Sequence, residues 1–322
     1  MAKTCFKALL VASYGRNYLA KPIHQLDANL PEYVEVISRG RKKEAAVGDE
    51  LLLESTSNHQ AVIQAIQPRK NLLFRSDAFR SKSIAANVDQ ILLVLATEPA
   101  FSPDLLGRAA IAAAHASIEL RILLNKVDLH DSLEKARTLL APYQTLQIPI
   151  HEISAKYDVH GAQSLASLQP LLAGKVSVLV GQSGMGKSTL LNYWVPNASA
   201  QTREHSTKLD TGKHTTTACK YYSLPQAWGE LNNQCGALID SPGFQEFGLA
   251  HLSESELQHA FTEFAPFLGN CKFNNCSHAH EPGCAVQEGV KLGAISPLRL
   301  QLFSQLVHES RNATQQVLER SS

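Results

Sequence analysis

VGQSGMGKST, residues 180–189, decides how the rest of the chain is read. Gly181, Gly186, Lys187 and Ser188 fill every fixed position of G-x-x-x-x-G-K-[ST]. The apolar run VSVLV precedes it and the helix-prone run STLLNYW follows. The pattern therefore predicts a strand, a phosphate-binding turn and a helix. Glycines let the backbone curl until successive N–H groups converge on phosphate oxygens. Gly181, Gln182, Ser183, Gly184, Met185, Gly186, Lys187, Ser188 and Thr189 form the expected cradle, and the helix start adds its positive end. Lys187 is the expected catalytic cation on the β- and γ-phosphates, and the Ser188 hydroxyl is an expected Mg²⁺ ligand.

Outward from the loop, the texture is that of a doubly wound sheet. Residues 90–96, 120–126, 175–181 and 236–243 are short, near-continuous apolar runs, as expected of strands buried on both faces. Helical stretches are expected at 103–116, at 132–141 and from Gly186 onward. The run ending in Asp240 continues as Asp240-Ser241-Pro242-Gly243. An Asp at a strand end can hold Mg²⁺, and a Gly three residues on can offer its N–H to a γ-phosphate. Thr211-Gly212-Lys213-His214-Thr215-Thr216-Thr217 lies between these two motifs. Thr216, with Thr217 as second choice, is expected to complete the Mg²⁺ shell. Phe244 follows Gly243 and cannot orient a water, so intrinsic hydrolysis is expected to be slow, with His214 the candidate to position the water.

Two further stretches point to the base. In LLNKVDLH, residues 123–130, the Asp128 carboxylate can accept from both N1–H and the N2 amine of guanine. Adenine has neither donor there and would leave a desolvated carboxylate unpaired, a cost of a few kcal/mol. Asn125 can bond the base or brace the loop, and the Lys126 stem can cover the ring. Ser154, Ala155 and Lys156 follow the strand-like run QIPIHEI and supply a second base contact. Both base motifs precede the phosphate loop, the reverse of the usual order. The expected explanation is a circular permutation, which is tolerated when termini lie close together on the surface.

Near the C-terminus, Cys271, Cys276, His278 and Cys284 place three sulfurs and an imidazole within 14 residues. Four such ligands suit tetrahedral Zn²⁺ and leave no open position, so a structural site is expected. His280 is the alternative to His278. Cys5, Cys219 and Cys235 are dispersed and read as ordinary thiols. Around the cluster the chain reads as helical, ending in a helix at about 296–318.

Residues 1–70 instead show short β-prone pieces at 7–13, 33–37, 50–53 and 61–66, the pattern of a small OB-type barrel. Residues 1–82 carry 13 Lys and Arg against 8 Asp and Glu, +5, leaving −4 for the remainder of a chain whose net charge is +1. That basic segment suits a phosphate-rich partner, or simply a solvated surface. Arg39, Arg41, Lys42 and Lys43 are its candidate RNA contacts. Lys7 interrupts the first apolar run, which reads as a strand rather than a signal peptide. No apolar run spans a bilayer. A cytoplasmic location and a monomer are expected.

The motif order, RSKSIAANVDQILLV, NKVD, SAK, GQSGMGKST, GKHTTT, DSPGF and CKFNNCSHAHEPGC together resemble the circularly permuted GTPases of the RsgA (YjeQ) family. The resemblance implies an OB-fold at 1–75, a permuted G domain at 76–249 and a helical zinc domain at 250–322. It implies GTP hydrolysis stimulated by the small ribosomal subunit, binding to its rRNA, and release of late assembly factors. It maps the zinc ligands onto Cys271, Cys276, His278 and Cys284, and a switch histidine onto His214. Asp240-Ser241 departs from the family's more usual Asp-Thr. An RNA-binding scaffold that GTP merely orders is the alternative of another class.

Overall fold

A computed structural model describes residues 4–14, 17–23, 31–37, 45–76, 81–156, 162–196, 198, 219–225, 236–241 and 247–321. Arg39, Arg41, Lys42, Lys43, His214, Thr216, Thr217, Cys235, Gly243 and Phe244 lie outside the described residues.

Five strands come first: β1 (Cys5–Tyr14), β2 (Asn17–Pro22), β3 (Val34–Ile37), β4 (Glu50–Ser55) and β5 (Gln60–Ile66). They close on themselves in the order β1-β2-β3-β5-β4-β1, with only β3 and β5 parallel, as in an OB barrel. Phe6, Ala8 and Leu10 alternate into the barrel core from β1. A bulge between Leu10 and Ala12 then turns Val11 and Ala12 onto a second apolar cluster with Leu19. Asp49 is fully buried, held by Arg69 through two 2.7 Å contacts and by the Ala46 N–H. The hairpin β6 (Leu72–Ser76) and β7 (Ser81–Ala86) leads onward.

The second body has strands β8 (Gln90–Ala96), β9 (Glu119–Asn125), β10 (Ile150–Glu152), β11 (Val176–Val180), β12 (Cys219–Ser223) and β13 (Ala237–Asp240). Their spatial order is β10-β9-β8-β11-β13-β12, parallel except for β12. The chain enters at the centre on β8 and winds outward to β10. It returns to β11 beside β8, then winds the other way. The reversal between β8 and β11 opens a crevice at the carboxyl ends of these strands, where ligands of such sheets bind. Every residue of β8 is buried, as a strand covered on both faces requires.

Helix α1 (Pro103–His115) is capped by Ser102, whose Oγ accepts from the Leu105 N–H at 3.2 Å, with Pro103 in the first turn. Helix α2 (His130–Thr145) runs through Pro142, beyond the expected stop at 141, because Leu140 and Tyr143 on its last turns are buried. A short α3 (Gln169–Leu172) precedes β11, and α4 (Lys187–Trp194) follows the phosphate loop.

The C-terminal body contains α5 (Glu254–Ala260), α6 (Ala285–Lys291) and α7 (Pro297–Ser321). A capping box between Ser253 and Glu256 starts α5. Phe261, Phe264 and Phe303 pack edge-to-face and stacked, with centroids 5.0–5.4 Å apart. Arg108 of α1 reaches into this body. It donates to Glu309 of α7 at 2.6 and 2.8 Å, to Asp104, and to the Phe247 carbonyl. These charged hydrogen bonds hold Arg108 fully protonated despite its burial.

Candidate nucleotide site and metal cluster

Both base motifs and the phosphate loop meet in one crevice of about 590 Å³. Asn125, Lys126, Asp128, Ser154, Ala155 and Lys156 line one end. Gln182, Ser183, Gly184, Gly186, Lys187, Ser188 and Thr189 line the other. The feature that makes one site of them is Asn125, which ends β9 and is 2 % exposed. Its Nδ2 donates to the Met185 carbonyl at 2.9 Å, and its Oδ1 accepts from the Ala155 N–H at 2.9 Å. Each end of the amide makes one hydrogen bond to the protein. The bracing role open in the sequence is present in the structure.

Gly186 explains how close these parts lie. It caps α4 with φ +103, and a Cβ there would sit 2.2 Å from the Asn125 Nδ2. Any side chain would push away the brace as well as strain the backbone. Gly181 likewise abuts the Val94 carbonyl. Met185 is 2 % exposed, so its side chain is packed in the core and does not line the crevice. Lys187 Nζ donates to the carbonyls of Gly181 and Gln182 at 2.6 and 3.1 Å. Burial lowers its pKa, while Asp240 opposes the shift.

At the base end, Asp128 Oδ1 accepts from Ser154 Oγ at 2.7 Å, which aims the carboxylate and leaves its other oxygen for a ligand. Lys126 has φ +63, and its Nζ donates to the Glu98 carbonyl at 2.6 Å. Thr97 Oγ1 donates to the Lys126 carbonyl. The Ser102 N–H donates to Gln182 Oε1 at 3.1 Å, joining the start of α1 to the phosphate loop. Thr97, Glu98 and Ser102 were not singled out in the sequence. Their one signal was position, polar residues just past the carboxyl end of an apolar strand.

Asp240 ends β13, opposite Leu179 of β11. Burial pushes its carboxyl up to about 6, against the pull of Lys187 and Lys220. A buried carboxylate that feels two ammonium groups, at the end of the strand beside the one that feeds the phosphate loop, is the hard-oxygen chemistry that suits Mg²⁺. Ser241 Oγ donates to the Leu179 carbonyl at 2.8 Å, so the hydroxyl at this departure from the family pattern braces the strand end.

In the C-terminal body the ligand atoms of Cys271, Cys276, His278 and Cys284 all lie within 4.8 Å of one another. His278 Nδ1 is 3.6 Å from Cys271 Sγ and 3.4 Å from Cys284 Sγ. Zn–S of about 2.3 Å and Zn–N of about 2.1 Å at tetrahedral angles put sulfur and nitrogen about 3.5 Å apart, so the cluster fits zinc. His280 is exposed and outside the cluster. His278 has φ +61 and packs on Phe264 and Phe303, while Cys284 caps α6 and accepts from the Gln287 N–H. Burial and the neighbouring thiols push Cys276 up to about 12, a penalty that a bound cation would reverse.

Among the described residues no helix is long and apolar enough to cross a membrane. The model of the family described as RsgA GTPase matches residues 66–250. A protein of Ralstonia pickettii named small ribosomal subunit biogenesis GTPase RsgA is 50% identical over 311 residues, 96% of this chain and 94% of that one. A Burkholderia pseudomallei protein of the same name is 50% identical over 301 residues, 94% and 91% of the two chains. Among solved structures, YjeQ from Thermotoga maritima superposes with a TM-score of 0.67 at 27% identity, covering 95% of this chain and 99% of that one. YloQ, described as a circularly permuted GTPase, superposes with a TM-score of 0.63 at 23% identity, covering 96% of each chain, and supports the fold. With its permuted sheet and its half-identical, nearly full-length relatives, the chain belongs to the RsgA GTPase family and is a GTP hydrolase.

Proposed function

We propose that this GTPase acts on the small ribosomal subunit, binding its rRNA, assisting late maturation and promoting release of late assembly factors. The observation that carries the reading is the crevice in which Asn125 ties the guanine segments to the phosphate loop. The printed name of the relatives, small ribosomal subunit biogenesis GTPase, supplies the partner. The barrel at 1–75 is the RNA-binding domain, 76–249 the G domain and 250–322 the zinc domain. The protein works as a cytoplasmic monomer.

Within the site, Asp128 reads the N1 and N2 edge of guanine, and Ser154, Ala155 and Lys156 border the base. Backbone N–H groups of 181–187 and the ammonium of Lys187 hold the phosphates. Ser188, Thr216 and Asp240 hold Mg²⁺, which when bound neutralises phosphate charge. Gly243 offers its N–H to the γ-phosphate, and His214 orients the attacking water. Zinc on Cys271, Cys276, His278 and Cys284 is structural.

Because Phe244 occupies the place of a water-orienting residue, turnover alone is slow. Addition of purified small subunits should raise multiple-turnover GTP hydrolysis by about a hundredfold or more, within the range of GTPase activation by a partner. Phosphate release measured with and without subunits checks this. Equal rates would overturn the ribosomal role and leave the GTPase intact.

A further inference from the structure

The barrel and the G-domain sheet are joined by backbone pairing. Strand β1 pairs antiparallel with β12, Ala12 opposite Lys220 and Ser13 opposite Cys219, so that among the described residues eleven strands form one continuous sheet. Tyr221 packs beside the small apolar cluster of Val11, Ala12 and Leu19 at this seam. On its other edge β12 pairs with β13, and there Lys220 stands directly opposite Asp240. Residues opposite one another in an antiparallel pair share a face. Lys220 therefore belongs to two neighbourhoods. Its Nζ lies 5.7 Å from the centroid of the Tyr14 ring at the end of β1, within cation–π range. Its charge also acts on the Asp240 carboxylate, which it shares with Lys187.

We propose that Lys220 is a positioning residue that conveys the metal state of Asp240 to the barrel through Tyr14. The proposal rests on the reading of Asp240 as a Mg²⁺ ligand. With no cation at Asp240, the half-buried ammonium is divided between a carboxylate and a ring face. A divalent cation at Asp240 takes that carboxylate and repels the ammonium. The Tyr14 ring becomes its remaining partner, and the seam between β12 and β1 tightens. By linkage the effect runs both ways. A partner that presses the barrel onto β12 draws Lys220 toward Tyr14 and favours the metal-loaded site.

The test uses the full chain saturated with a non-hydrolysable GTP analogue, with and without Mg²⁺. Hydrogen exchange is followed at residues 12–14 and 219–221. In the wild type, Mg²⁺ should slow this exchange several-fold. In Lys220→Gln the slowing should vanish, and Lys220→Arg, which keeps the charge, should restore it. The Mg²⁺ concentration for half-maximal tightening of nucleotide binding should fall about threefold to tenfold in Lys220→Gln, since a repelling charge is gone. Undiminished slowing in Lys220→Gln would place the effect in the backbone ahead of Cys219 and overturn the relay. So would an unchanged Mg²⁺ requirement. Asp240→Asn separates the two levels. If it requires Mg²⁺ as the wild type does, the magnesium role of Asp240 falls and takes the relay with it. If its requirement rises while Lys220→Gln behaves as wild type, only the relay falls.

Discussion

Asp128→Asn should lower affinity for GTP by about a hundredfold or more while raising affinity for xanthosine triphosphate. One carboxylate oxygen is held by Ser154 Oγ at 2.7 Å, and Asp128 lines the crevice, where its other oxygen can accept from the base. Guanine presents two donors on that edge, N1–H and the N2 amine. An amide NH₂ in place of the second oxygen sets donor against donor and strands both. Xanthine carries a carbonyl at C2, which accepts from the new amide. Replacing a satisfied charged hydrogen bond by two unpaired donors costs a few kcal/mol, which is the source of the hundredfold figure. Asn is close in shape to Asp and keeps an acceptor for Ser154, so the loop should persist. Displacement of a fluorescent guanine nucleotide by GTP, xanthosine triphosphate and ATP measures all three. Equal weakening for every base would mean that Asp128 acts through folding of the loop.

The second large effect concerns the cluster at 271–284. Within that stretch the buried residues are Cys276, His278 and Cys284, each of them a proposed ligand. No apolar core exists there to replace the metal. A buried aliphatic or aromatic side chain contributes about 1.5–3 kcal/mol, whereas structural zinc in finger peptides contributes about 10–16 kcal/mol of apparent binding energy. Metal removal by a strong chelator, or Cys276→Ser, should therefore unfold 271–284 locally. Exchange protection across these residues should fall by about a hundredfold or more, since opening no longer requires breaking metal bonds. The contacts of His278 with Phe264 and Phe303 would go with it and loosen the aromatic centre of the C-terminal body. Nucleotide affinity should change little, because the crevice shares no residue with the cluster. A chain that holds one zinc, loses it and keeps full protection at 271–284 would show the cluster to be stabilised without metal.

How much of this was legible in the sequence depends on how local each determinant is. The phosphate loop was legible because its glycines, lysine and serine act within ten residues, and the strand and helix on either side carry their own signals. The Cys/His cluster was legible for the same reason, its four residues falling within 14 positions. Asn125 was legible as a site residue with two roles open, and the choice of the brace was not, since bonding Met185 and Ala155 depends on contacts 60 and 30 residues away. Strand β2 escaped notice because Asn17–Pro22 is short and ends in a proline, which suits only an edge or a strand end. Strand β12 escaped because CKYYS alternates too briefly to declare a strand. Its pairing with β1, some 200 residues earlier in the chain, has no local signature. The continuation of α2 through Pro142 is a case where burial of Leu140 and Tyr143 outweighs the loss of one backbone donor. The reversed motif order was fully legible. Its consequence, a chain that enters the sheet at the centre on β8, follows from the topology alone.

The most direct measurement is a crystal structure of the chain with Mg²⁺ and GDP, examined for where a single nucleotide begins and ends. The expected result is one molecule with N1 and N2 of its base about 2.7–3.1 Å from the Asp128 carboxylate, in hydrogen-bond range. The same molecule's β-phosphate should lie under the loop at 181–187, with Lys187 Nζ turned from the Gly181 carbonyl to a phosphate oxygen. A base bound away from Asp128, or phosphates held outside that loop, would contradict the claim that these reordered segments build one guanine site.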